Sequence, residues 1–143
     1  MLSEVKTALI SHLSADQTLM ALLKTESAII CGRLAPTAPL PCITLAANEK
    51  PDAAASELGK HEVAVQISVY SGSPDTGDAI VDALDGRLFD GHRGGALDTA
   101  NYRVVFCRRI SSSAVSTDAR HSSLHEVEKR ETLWRIVLLR KAA

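Results

Sequence analysis

Asp118, His121 and His125 have the residue types and the spacing of a metal site. Two histidines at i and i+4 share one helical face, and a carboxylate three residues earlier would add a third ligand for a divalent ion. Such a set would suit a small metal-dependent hydrolase or nuclease. The setting weighs against it: the segment is rich in serine and supplies no partner to orient the imidazoles, so a solvated loop accounts better for these residues. We assign no metal and no cofactor. His61 beside Glu62, and His12, are single histidines in amphipathic segments, and they read as surface or rim positions rather than general bases. No GxGxxG, Walker, HExxH or GxSxG motif is present, and Gly91, Gly94 and Gly95 are too widely set, in too polar a context, for a phosphate loop. Known catalytic signatures are absent.

Guanidinium groups concentrate in the last third, at Arg103, Arg108, Arg109, Arg120, Arg130, Arg135 and Arg140. They could contact phosphates. A dedicated nucleic-acid binder would interleave aromatics among its cations, whereas aromatics are 3% of this chain, its first two-thirds are acidic and its pI is near 6.5. Subunit or partner contacts are the better use, and Arg103, Arg108, Arg109, Arg120, Arg130 and Arg135 with Trp134 are the candidates. Net charge is −1, but residues 1–100 hold 7 Lys/Arg against 13 Asp/Glu (−6) and residues 101–143 hold 9 against 4 (+5). Either the charges pair within one sheet, or acidic and basic surfaces of different molecules meet.

The elements that must position these residues centre on 60–90. Val63, Val65, Ile67 and Val69 alternate with Glu62, Ala64, Gln66, Ser68 and Tyr70, which is the pattern of a half-buried strand. Ile80, Val81, Leu84 and Leu88 then recur at helical spacing, with Ser73 or Asp75 to cap and Pro74 in the first turn. Upstream, Leu2, Val5, Leu9 and Leu13 form one helical stripe. It breaks near Ser14, and Asp16 caps a continuation through Leu19, Leu22 and Leu23. Short strands are expected at 27–33 and 42–47, joined by a stiff segment with Pro36, Pro39 and Pro41, and 48–59 reads as a polar loop. A fourth strand places Tyr102, Val104, Phe106 and Ile110 on one face and Arg103, Val105, Cys107 and Arg109 on the other.

The last strand, 132–139, is apolar on both faces, so its second face needs cover that another subunit could give. Residues 111–129 make a long hairpin arm or loop. Cys31, Cys42 and Cys107 lie in apolar contexts without short spacing, as buried free thiols would. No signal peptide or apolar run of about 20 residues appears, so a soluble protein made in the cytoplasm is expected. At 143 residues, one domain is expected over 1–143. Its class is α+β, a mainly antiparallel sheet of four to five strands with two helices on one face.

Four stretches together resemble a known family: Ala15 to Leu23 (ADQTLMALL), Ala38 to Leu45 (APLPCITL), His61 to Ser71 (HEVAVQISVYS) and Gly77 to Leu88 (GDAIVDALDGRL). They are similar to the tail-completion, or tail-terminator, proteins of long-tailed phages and prophages. The resemblance implies a structural protein and not an enzyme, one that forms a homo-oligomeric, hexameric ring at the head-proximal end of the tail tube. There it would stop tube polymerisation and meet the tail tube protein and a head connector or neck protein, with loops such as 49–59 and 111–129 making the contacts. A head–tail connector or neck role is the nearest alternative. The implied location is the virion tail, after assembly in the host cytoplasm, with no membrane and no dedicated nucleic-acid binding.

Purified protein is expected to carry no stoichiometric transition metal. Elemental analysis that finds zinc or manganese in a one-to-one ratio, lost in His121→Ala, would restore the hydrolase or nuclease reading.

Overall fold

The structure, a computed structural model, describes residues 1–34, 37–89, 91–113, 116–118 and 127–142. Strand β3 (Lys60–Ser71) carries the predicted alternation, with Val63, Val65, Ile67 and Val69 all buried. The sheet runs β1 (Ile29–Cys31), β2 (Cys42–Lys50), β3, β6 (Val127–Arg140) and β4 (Tyr102–Ser112), and short β5 (Ser116–Asp118) pairs with β6. β1 is parallel to β2, and the other pairings are antiparallel. Register sets one face: Val65 stands between Ala47 of β2 and Trp134 of β6, and Ile67 between Leu45 and Thr132. All six are buried.

Helices α1 (Leu2–Ser14), α2 (Gln17–Leu23) and α4 (Pro74–Leu88) cover that face. Val5, Leu9 and Leu13 fall one turn apart on α1 and face the core. The Asp16 carboxylate caps α2 by accepting the Leu19 amide at 3.2 Å. Ser73 caps α4 through the Thr76 amide at 3.3 Å, and Pro74 fits the first position, where no amide is needed. Ile80, Leu84 and Leu88 bury the α4 stripe. α1 and α4 are pinned together: Arg87 Nε donates to the His12 carbonyl at 2.9 Å, and His12 Nε2 donates to the Arg87 carbonyl at 3.0 Å. His12 is thus a structural link.

The expected α+β class holds, with the first helical region split where Asp16 caps, so that three helices rather than two form the layer. Several local expectations need correction. β2 runs on to Lys50 because Asn48, Glu49 and Lys50 pair with Ala64, Val63 and Glu62, and the expected loop also holds a short helix, α3 (Ala53–Glu57). At the end of β3 the far face closes too, since Ser68 and Tyr70 are buried. In β4 a register shift between Val104 and Phe106 inserts one residue and reverses the alternation. Cys107 rather than Phe106 therefore faces the core with Tyr102 and Val104, while Ile110 is 56% exposed.

On β6, Trp134, Ile136 and Leu138 face the helices. The opposite face is less bare than expected: Val137 is 7% exposed and the Arg135 guanidinium lies over the Phe106 ring, 5.3 Å from its centre. Cys31, at the sheet edge, is exposed rather than buried. Cys42 and Cys107 are buried and all three thiols are free; burial pushes Cys42 up to about 11.

Leu84 is fully buried, and an unpaired carboxylate there costs several kcal/mol against a total stability of about 5–15 kcal/mol. Leu84→Asp should therefore unfold or aggregate the protein. An unchanged thermal melt would mean that the α4 stripe does not face the core.

Candidate assembly surface

The candidate contact residues do not form one cluster. Arg108, Arg109 and Trp134 converge, with Asp85 and Phe89, around a shallow depression of about 280 Å³ between the end of α4 and β4. Trp134 is the anchored part: its Nε1 donates to Thr132 Oγ1 at 3.0 Å, and that hydroxyl donates to the Ile67 carbonyl at 2.9 Å. Arg109 donates to Asp85 Oδ2 at 2.6 Å. Burial holds the Asp85 carboxyl above its ordinary value, against the opposing pull of Arg109. Arg108 lies over the Phe89 ring, 5.6 Å from its centre, and Phe89 is 66% exposed. An aromatic ring left in water beside a guanidinium can serve a protein contact, and nothing in the group is arranged to break or make a bond.

Arg135 sits on the helix-free face of the sheet, hydrogen-bonded to Glu62, which Lys50 also approaches at 3.5 Å. The bond from Arg135, helped by the fields of both cations and opposed by burial, holds the Glu62 carboxyl below its ordinary value. Arg130 reaches α4, where it pairs with Asp78 and donates to the Pro74 carbonyl at 3.3 Å. Arg103 is exposed near the start of β4. Arg120, His121 and His125 lie outside the described residues. Asp118 is in strand β5, paired with Val127, so the metal reading's single helical face does not begin there. His61 turns to Glu49, with Nδ1 and Oε1 2.6 Å apart, and not to its neighbour Glu62, because adjacent residues of a strand point to opposite faces.

Local pairing thus absorbs part of the charge split: Arg109, Arg130 and Arg135, from the basic third, each meet a carboxylate from the acidic part. β4 ends the sheet, and among the described residues no strand pairs with its outer edge. That edge is blunted by two register shifts, at 104–106 and 109–111, and by exposed arginines, which oppose regular strand addition. Phe89 and Ile110 were not among the candidates. Phe89 follows Leu88 directly, about 100° off the buried stripe, which is a readable signal of exposure. Ile110 was hidden by the reversed alternation.

Comparison with known families matches residues 7–126 to the family described as tail completion protein gp17. Among solved structures, a chain from the virion of a native gene transfer agent particle superposes with a TM-score of 0.70 at 20% identity, covering 94% of this chain and 93% of that one. Likeness at that identity carries the fold alone. No curated protein matches the sequence.

A depressed carboxyl contributes stability above its unfolded value and loses it as pH falls through its folded value. For Glu62 the contribution should be present at neutral pH and fade as pH drops below the ordinary 4.5. With both partners partly exposed, Glu62→Gln should cost under about 1 kcal/mol at pH 7. Thermal melts of parent and variant should converge in acid; a gap that persists at low pH would mean the cost is not ionic.

Proposed function

This chain belongs to the tail completion protein gp17 family, whose members are structural rather than enzymatic, and from that premise we propose that it terminates a phage tail. In this reading the protein closes into a ring of six at the head-proximal end of the tail tube and stops tube polymerisation. It meets the tube protein on one side and a head connector or neck protein on the other. The observation that carries the reading is the family match over 7–126, which spans every strand from β1 to β5 and reaches the threshold of β6. The gene transfer agent chain that shares the fold is part of a virion, in keeping with a place in a particle.

The two edges of the sheet are unlike, three residues of β1 at one side and eleven of β4 at the other. Unlike edges favour head-to-tail contacts, in which one surface meets a different surface of the next copy, and such contacts close into a ring when the rotation between copies divides the full turn. We take 1–143 as one domain, with the segment at 111–129 as its arm towards a partner. Among the described residues, no helix is long and apolar enough to cross a membrane. Assembly in the host cytoplasm and residence in the virion tail complete the proposal.

Native mass spectrometry or light scattering over a concentration series, with and without purified tail tubes, tests it. Closed rings are expected, in solution at high concentration or on tube ends. A protein that stays monomeric or two-fold dimeric and fails to bind tubes would overturn the reading, and one that binds the neck protein but no tube would be a connector.

A further inference from the structure

The charge split in the sequence survives local pairing as a difference between two faces. Pairing register places Lys50, Lys60, Arg103, Lys129 and Arg135 on the helix-free face of the four long strands, while Arg108 turns at the β4 edge to the Phe89 ring. Only Glu62 and Glu131 are the carboxylates there, the first shared by Lys50 and Arg135 and the second met by Lys129, so five cations stand against two anions among the described side chains of that face. The same face has apolar ground between its charges, since Phe106, Leu133 and Leu139 are only half buried.

α4 has the opposite character. Its acids are Asp75, Asp78, Asp82 and Asp85, and its one cation, Arg87, is turned to His12. Asp85 and Asp78 are met by Arg109 and Arg130, which leaves exposed Asp75 and Asp82 as net negative charge on the solvent side of the helix. Half-buried Ala79 lies between them along the helix, small enough for close approach.

We infer that the helix-free sheet face of one subunit receives the solvent side of α4 from the next copy. This rests on the ring reading above and names its contact. The two surfaces lie on opposite sides of one subunit, so the contact is head-to-tail, as ring closure requires. Their charges are complementary, which sets orientation and suppresses like-to-like pairing. A nucleic-acid backbone would also suit the cations, but the face offers apolar ground without stacking rings in a row, which fits a protein helix better than a phosphate track.

Two variants test it, Asp75→Lys with Asp82→Lys, and Lys60→Glu with Arg103→Glu, each checked for folding by circular dichroism. Assembly is followed by native mass spectrometry in solution, or by co-sedimentation with tail tubes if the parent forms rings only there. Each variant alone should need at least about tenfold more protein to assemble. An equimolar mixture should recover parental assembly with the two variants in equal number, since every interface of an alternating ring is then complementary. Should a variant fail to fold, the parent decides: raising salt from about 0.1 to 1 M shortens the screening length from about 10 to 3 Å and should weaken assembly by at least about tenfold.

Rings unaffected by either variant or by salt, or a mixture that fails to recover, would overturn this contact and leave the ring reading standing. A variant with Lys60→Glu and Arg103→Glu that keeps its rings but loses salt-dependent retention of double-stranded DNA would overturn it in favour of a phosphate surface. A parent that neither forms rings nor binds tubes overturns both.

Discussion

Burial of Trp134, Ile136 and Leu138 beneath the helices is the contact that the rest of the sheet depends on, because β6 is bonded on both sides. On one side β6 pairs with β3 from Lys60 to Ser71, and on the other with β4 and β5. The strand written last in the sequence is therefore second from the edge in space. β3 cannot acquire its second neighbour, nor β4 any neighbour, until the chain is almost complete. Pairings so distant in sequence make folding slow relative to helical proteins, since loop closure must precede their reward. The Trp134 indole, bonded through Thr132 to the carbonyl of Ile67, ties β6 to β3 by side chains as well as backbone. Arg109 and Arg130 then carry β4 and β6 across to α4.

What was legible in the sequence is what depends on neighbours in the chain. The alternation from Val63 to Val69, the Ser73 and Pro74 start of α4, the stripe from Val5 to Leu13 and the Asp16 cap all follow from local geometry, and the structure reproduces them. What was not legible depends on partners far away. Asn48, Glu49 and Lys50 are polar enough to read as loop, and they are strand because β3 offers them a ladder. One inserted residue after Val104 reverses the faces of β4, and nothing local marks it. His61 lies beside Glu62 in sequence but meets Glu49, since pleating sends neighbours to opposite sides. The candidate surface was half legible: the arginines and Trp134 were found by type, while Asp85 and Phe89, which complete the depression, come from a helix on another part of the chain.

The family match makes this a structural protein rather than an enzyme. Among the described residues, Arg109, Arg130 and Arg135 each stand paired with a carboxylate. The Glu62 carboxyl illustrates the difference. It is held ionised by Arg135 and Lys50, a state suited to fixing a surface and unsuited to passing protons near neutral pH.

The irregular outer edge of β4 has a consequence for the fidelity of construction. A bare, regular strand edge invites any extended segment to pair along it. Two offsets in hydrogen-bond spacing within eleven residues leave no stretch of this edge long enough to be copied in register. Attachment must then be won by side chains that match a specific shape, so that a wrong partner falls away faster than it can be built over.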